Sequence, residues 1–270
     1  MEPISAYIPC FNNAATIAAT IDSLKKQTYP IDEIFVIDDG STDKSIDIIK
    51  GCGIRFICNE NNLGRGAARN RAMLETTNEI VLCCDATNVL PTDFVSRLLP
   101  WFKDPKVAAV YGWIQDPDPM GVVARWRARH LFKAGHTMQV RHKASLIAYG
   151  TLMRRSLALE AGNFNQAVRN REDAELGERL LAAGFDIVFD PTAAVVCNAQ
   201  NNTLSQVLVR YRRWYEEKNE RVSWKGYAKQ IWYSIKVMAM QDVKESDFPS
   251  VFISLFLPYY CFWKSKGKKW

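Results

Sequence analysis

Glu33-Ile34-Phe35-Val36-Ile37-Asp38-Asp39-Gly40-Ser41-Thr42-Asp43 is the stretch that decides the fold. Its first five residues carry four adjacent large apolar side chains and read as a buried strand, because a strand covered on both faces has no need of polar alternation. Two aspartates, a glycine and a serine then stop it in a turn, and Ser41 or Thr42 can cap a helix running to about Lys50. A strand that ends in acids and passes directly into a helix is half of a βαβ unit, so its neighbours should repeat the pattern.

They do. Upstream, Ile4-Ser5-Ala6-Tyr7-Ile8 is a strand ending at Pro9, followed by a helix over roughly 14–27. Downstream come a strand at 54–58, a helix at 64–74, and a strand at 79–84 that ends at Asp85. This order predicts a largely parallel sheet with helices on both faces. Sheets of that kind bind ligands beyond the carboxyl ends of their strands. Asn12-Asn13, Asp38-Asp39, the segment 59–62 and Asp85-Ala86-Thr87-Asn88 all fall there. The second half is less regular. It offers strands at 107–112, 146–153 and 187–189, a helix at 172–183 ending before Gly184, and a long helix at 204–217 bearing Arg210, Arg212, Arg213 and Trp214. No internal repeat, low-complexity linker or domain-splitting loop interrupts the chain.

Composition bounds the reading. In 270 residues, 48% hydrophobic and 24% charged content suit a globular chain with a real core. A net charge of +6 is a mild bias that fits a phosphate-bearing ligand or an anionic membrane surface, and equally nothing specific. The seven cysteines form an odd set without a C-x-x-C pair, and Cys83-Cys84 closes an apolar run. They read as free, buried thiols of a reducing compartment, so the cytosol is expected. No secretory signal opens the chain: the apolar stretch at 4–8 is too short and lacks a basic flank. The segment 248–263 is strongly apolar but broken by Pro249 and Pro258, with lysines following. About 16 helical residues give about 24 Å, short of the ~30 Å hydrocarbon core. An interfacial anchor at the inner face of the membrane is favoured there over a buried tail helix. For the basic stretch 125–133 an exposed surface is the default expectation.

Chemistry gathers at the strand ends. A carboxylate after the second strand can accept hydrogen bonds from a nucleobase imide. Asp39 is the choice, with Asp38 as a partner or helix cap, although an ordinary Asp-Gly-Ser turn explains the same residues. In Asn61-Asn62-Leu63-Gly64-Arg65-Gly66-Ala67-Ala68-Arg69-Asn70 the glycines permit a tight turn into a helix whose N-terminus favours anions. Arg65 and Arg69 stand one helical turn apart and can meet a base or phosphate; simple helix initiation fits too.

The set as a whole resembles the inverting family 2 glycosyltransferases. The matching pieces are Pro9-Cys10-Phe11-Asn12, the stretch 36–43, Asn62-Leu63-Gly64 with Ala68-Arg69-Asn70, and Asp85 six residues before Pro91. Gly162-Asn163-Phe164 and Arg171-Glu172-Asp173-Ala174-Glu175-Leu176 resemble the family's acceptor-side segment. The resemblance runs from residue 4 to about 220. It implies a GT-A, Rossmann-like α/β domain over 1–222, with a mixed and mostly parallel sheet, and a C-terminal helical extension over 223–270. It implies a nucleoside-diphosphate sugar donor, UDP-linked, and a saccharide or lipid-linked saccharide as acceptor in glycan or polysaccharide biosynthesis. Pro9, Phe11 and Asn12 would flank the base, Asp39 would bind it with Asp38 beside it, and Gly64, Arg65 and Arg69 would lie near. Asp85, with Ala86 and Thr87, would occupy the Asp-x-Asp motif that meets ribose and a divalent cation, Mg²⁺ or Mn²⁺. Asp173, with Glu172 as its neighbour, matches the catalytic base. An inverting transfer needs one carboxylate to deprotonate the acceptor hydroxyl as it attacks the anomeric carbon. Acidic decoration of a helix N-terminus is the plainer explanation of that pair.

The pattern breaks at the metal. Thr87 replaces the motif's second carboxylate, and Asn198 stands where the family often has a histidine. Three routes stay open: a weakly held cation, neutralisation of the pyrophosphate by arginines such as Arg210 and Arg213, or loss of transfer with binding retained. Arg210 also departs from the Gln-x-x-Arg-Trp of processive synthases, which favours transfer of a single sugar. Packing of an amphipathic helix accounts for Tyr211 and Trp214. No nucleic-acid module is present, the three histidines lack hydrolase spacing, and no glycine-rich loop follows the first strand as a nucleotidyltransferase would need.

Overall fold

A computed structural model describes residues 1–116, 119–133, 138–168, 170–198, 203–215 and 223–267, the side chains of 213–215 apart. The chain divides into two compact units, one formed by 1–115 with 137–199 and the other by 116–136 with 200–270.

The first unit is built on one sheet of eight strands: β1 (Ile4–Cys10), β2 (Glu33–Asp38), β3 (Arg55–Cys58), β4 (Ile80–Cys84), β5 (Asn88–Val89), β6 (Val107–Gln115), β7 (Gly150–Arg154) and β8 (Asp186–Cys197). Their order is β3-β2-β1-β4-β7-β6-β8-β5. The first four in that order run parallel, β7 is antiparallel to both β4 and β6, and β5 is antiparallel to β8. Alternate residues of β1 serve opposite faces, as the period of two requires. Ile4, Ala6 and Ile8 join Ile17, Ile21 and Leu24 of α1 (Ile17–Lys25) on one side. Tyr7 joins Ala68 and Ala72 of α3 (Arg65–Glu75) and Leu176 and Leu180 of α7 (Glu172–Ala182) on the other. The helices α2 (Ser45–Gly51), α4 (Phe94–Leu98) and α6 (Arg155–Glu160) complete the layers.

The expected alternation is therefore the observed one, with shifted ends. The helix after β2 starts at Ser45, later than the anticipated cap at Ser41 or Thr42, because those two residues tie the turn to the loop after β1 instead. The strand expected at 146–153 begins only at Gly150.

The second unit takes in α5 (Gly121–His130) and α8 (Leu204–Tyr215), which the sequence reading had placed with the first. The reason is apolar packing. Trp126, Val207 and Leu208 share one cluster with Ile253, Leu257 and Cys261 of the C-terminal helix. That helix is α11 (Phe248–Lys266), preceded by α9 (Trp224–Tyr233), a π-helical stretch (Ser234–Ala239) and α10 (Met240–Lys244). Residues 125–133 thus depart from the exposed default. Trp126 is fully buried and donates to Ser254 Oγ at 2.8 Å. Arg129 and His130 reach Asp242 at 2.5 and 2.7 Å, and Arg125 reaches Asp247 at 3.0 Å. Tyr211 packs against Trp126 at 6.3 Å between ring centroids, as expected of core packing, whereas the Trp214 side chain lies outside the described residues.

Candidate active site

The loops after β1 and β2 are stitched together by Asn12. Its backbone lies in the left-handed region (φ 54°), its N–H donates to Ser41 Oγ at 2.9 Å, and its Oδ1 accepts from the Thr42 and Asp43 amides at 2.8 and 3.3 Å. Pro9 pairs with Ile37 inside the sheet, and Phe11 projects with 43% of its surface exposed. Asp38 is fully buried: Oδ2 accepts the Ser41 amide at 3.0 Å, while Oδ1 has no partner among the described residues. Burial, reinforced by the Asp38 charge, pushes the Cys10 thiol up to about 11.

Asp39 accepts three hydrogen bonds from the turn that precedes α3: from Asn59 Nδ2 at 2.8 Å, the Leu63 amide at 3.0 Å and the Gly64 amide at 2.8 Å. A carboxylate offers about four lone-pair sites, so the turn occupies most of this one. Gly64 sits at φ 94°, a conformation that favours glycine, and the chain enters α3 from it. Helix α3 then delivers Arg65, with a half-exposed side chain, and Arg69, with a side chain only 1% exposed.

Arg69 is the centre of the site. Its Nη2 donates to Asp85 Oδ1 at 2.6 Å and to the Ala148 carbonyl at 2.8 Å. Its Nη1 lies 3.6 Å from Glu172 Oε1 and 3.9 Å from Asp173 Oδ2. Burial would lower the guanidinium's pKa, but Asp85, Glu172 and Asp173 outweigh it and drive the value upward. Three carboxylates from two separate elements therefore converge on one buried cation. They form two layers. Glu172 is 1% exposed, leaves Oε2 without a partner among the described residues, and touches Arg65 and Arg69 beneath the surface. Asp85 and Asp173 are 25% and 21% exposed and present an edge to solvent.

Asp173 owes its position to the first turn of α7, where the acids Glu172, Asp173 and Glu175 suit the helix dipole. Its Oδ2 accepts the Ala148 amide at 3.1 Å and its Oδ1 accepts its neighbour Ala174's amide at 2.8 Å. Ahead of it, Arg171 adopts the left-handed region at φ 63° and turns the chain into the helix. The segment 163–168 is seated on α3. Asn70 donates to the Phe164 carbonyl at 2.7 Å and accepts from Gln166 and Asn163 at 3.0 Å. A Cβ on Gly66 would stand 2.5 Å from the Asn165 carbonyl oxygen. Asn163 and Phe164 are thus held against α3, the helix that carries Arg69.

The sequence reading missed Ala148 and Tyr149. Their backbone atoms bridge Arg69, Asp173, the Asp85 amide (3.3 Å) and Asn88 Nδ2 (2.8 Å). No side-chain motif signals a backbone role of this kind. Ala86 is buried, and its carbonyl accepts from Thr20. Thr87 and Asn198, which the resemblance sets at the metal, are brought together: the Asn198 amide donates to the Thr87 carbonyl at 2.7 Å beside the β5–β8 ladder. Arg210 is exposed on α8 in the other unit, and the Arg213 side chain lies outside the described residues.

A divalent cation would find a partial set of protein ligands here, with Asp85 as the charged one and the donor's phosphates left to complete its shell. Such ions take six or more oxygen ligands, preferably charged. Asp85 already gives one oxygen to Arg69, and among the described residues no three of His, Cys, Asp or Glu group as metal ligands.

The family model for "Glycosyl transferase family 2" matches residues 5–161. The O-antigen chain rhamnosyltransferase RfbN of Salmonella typhimurium is 26% identical over 225 residues, covering 77% of this chain and 70% of that protein. The poly-beta-1,6-N-acetyl-D-glucosamine synthase of Staphylococcus epidermidis is 34% identical over 117 residues. That match covers 42% of this chain and 28% of the synthase, so the chain spans well under half of that relative's length. Among solved structures, a Pyrobaculum calidifontis mannosyltransferase in complex with GDP-Man and Mn²⁺ superposes with a TM-score of 0.62 at 19% identity, covering 98% of this chain and 74% of that one. Residues 1–349 of S. aureus TarS give 0.58 at 15%, covering 94% and 81%. A family model that spans more than half of the chain, on a sheet of the same fold, decides the matter: the chain belongs to glycosyl transferase family 2 and has the GT-A fold.

Proposed function

We propose that the protein transfers one sugar from a nucleoside-diphosphate donor, UDP-linked, to a hydroxyl of a saccharide or lipid-linked saccharide, with inversion, in building a glycan or polysaccharide. The observation that carries this reading is the meeting of Asp85 and Asp173, each partly exposed, on the buried Arg69. Asp173 takes the proton of the acceptor hydroxyl, the acceptor oxygen bonds to the anomeric carbon, and the bond from that carbon to the diphosphate breaks from the opposite face. Two amide donors orient the base, so its geometry is set before the acceptor arrives. Asp85 lies on the donor side, towards ribose. The exposed ring of Phe11 flanks the base, and Asp39 fixes the turn that carries Arg65 to the pocket.

A second reading follows from one observation. With Asp85 held by Arg69, and with Thr87 and Asn198 in place of charged ligands, the chain would bind a nucleotide sugar without turning it over. One experiment decides. UDP, GDP and dTDP are screened by thermal shift, and release of the matching nucleotide from its sugar is then followed with and without EDTA. Stabilisation by one nucleotide together with nucleotide release supports the enzyme, and release that survives EDTA supports a mechanism without a resident metal. Stabilisation without release supports the binding protein, and no stabilisation by any of the three removes the proposal.

A further inference from the structure

Helix α11 has two unlike faces. One is buried and carries Ser250, Ile253, Ser254, Leu257 and Cys261. Away from it stand Phe248, Phe252, Leu255, Tyr259 and Trp263, exposed by 66, 63, 48, 52 and 53%. Their spacing of four, three, four and four residues keeps them on one stripe of a 3.6-residue helix. The stripe is continuous: ring centroids run from Phe252 to Phe256 at 5.7 Å, on to Tyr259 at 5.9 Å, and on to Trp263 at 6.1 Å. Fifteen residue steps make it about 22 Å long. The preceding helical run adds Trp224, Trp232, Ile235 and Met240, exposed by 66, 63, 45 and 47%. Contiguous apolar surface of this extent marks a contact site.

Charge says what covers it. Residues 200–270 hold 13 lysines and arginines against six acids. Of the three acids between 224 and 266, Asp242 and Asp247 are buried against Arg125, Arg129 and His130, which leaves Glu245 as the exposed one. Lys225, Lys229, Lys236, Lys244 and Lys264 are all exposed. A second copy of this chain would bring like charges together, whereas an anionic bilayer complements both the lysines and the rings. Trp and Tyr seat at the headgroup level, and lysine stems reach outward from apolar surface to the phosphates. No helix among the described residues is long and apolar enough to cross a membrane, so this one would lie in the interface.

We propose that the aromatic stripe of α11 docks the protein on an anionic lipid surface, with the helix in the plane of the headgroups. The proposal stands apart from the transfer chemistry, since none of these residues belongs to the site of the first unit. The test is flotation of the full chain with vesicles of phosphatidylcholine alone and with about 30% phosphatidylglycerol, at low and high salt. Binding is expected to the anionic vesicles, to fall at high salt, and to drop at least tenfold in the triple variant F252S/Y259S/W263S. Reversing Lys264 and Lys266 (K264E/K266E) should weaken it by about fivefold or more per lysine while leaving the apolar stripe intact. Circular dichroism and the melting temperature confirm that each variant is folded. Equal binding of neutral and anionic vesicles, or unchanged binding by both folded variants, overturns the proposal. So does light scattering that shows a dimer which the triple variant dissolves.

Discussion

Replacing Arg69 by methionine removes the one cation that three acids share. Methionine fills much of the stem's space, so the effect is mainly electrostatic. Among the described residues, Glu172, with a side chain 1% exposed, would keep only the half-exposed Arg65 at 3.6 Å. Stripping a buried carboxylate of its partner costs about 3–5 kcal/mol, and the orphaned Ala148 carbonyl adds about 1. R69M should therefore lose about 4–6 kcal/mol of stability, a large share of the 5–15 kcal/mol typical of a domain. If charge burial is the cause, neutralising the acid relieves it: R69M/E172Q should recover about 2 kcal/mol relative to the sum of the single variants. Urea unfolding followed by circular dichroism measures both, provided the slope is unchanged across variants. An R69M protein within 1 kcal/mol of the parent, or strictly additive effects in the double variant, would refute the claim that Arg69 is the hub.

D39A deprives three N–H donors of their acceptor; it should cost about 3 kcal/mol of stability and weaken nucleotide affinity at least tenfold by calorimetry, and unchanged affinity would remove Asp39 from the donor site. G66A should destabilise by about 1–3 kcal/mol despite alanine's better helix propensity, because its Cβ would meet two carbonyl oxygens at 2.5 and 2.6 Å; a neutral result would mean that the segment 163–168 is not seated there. In the second unit, burial alone would raise the Asp242 carboxyl, but bonds from His130, Ser254 and Arg129 hold it below the usual range; the Arg125 bond, with Ser250 and Arg129, does the same for Asp247. Stability from such depressed groups is fully present above the unfolded value of about 3.9 and is lost as pH falls through the folded one. D242N should then be less stable at neutral pH and less acid-sensitive below about pH 4, and urea midpoints that track the parent in parallel would contradict this.

The fold was legible where periodicity and punctuation agreed. β1, β2 and β4 are apolar runs closed by Pro9 and Cys10, by Asp38-Asp39 and by Asp85, and helices follow the first two directly. The second half was harder to read. The contacts that place α5 and α8 are long-range, joining Trp126 to Ser254 across 128 residues, and the signal of a basic stretch hid a buried one. In the site, the residues were legible but their packing was not. Glu172 and Asp173 are adjacent in sequence, yet one is sealed beneath the surface and the other faces solvent, a difference fixed by the helix start after Arg171. Asp39 reads as a ligand-binding acid, and in the structure it holds a turn. Ala148 and Tyr149 act through backbone atoms, for which no residue type is a marker.

Asp173→Asn is the most direct test of the transfer chemistry. Asparagine keeps the shape and one acceptor oxygen while it abolishes the base. With the cognate donor and acceptor, kcat should fall by roughly 10²–10⁴ while the dissociation constant for the nucleotide stays at the parental value. Transfer by the folded D173N protein at the parental rate would show that the proton goes elsewhere.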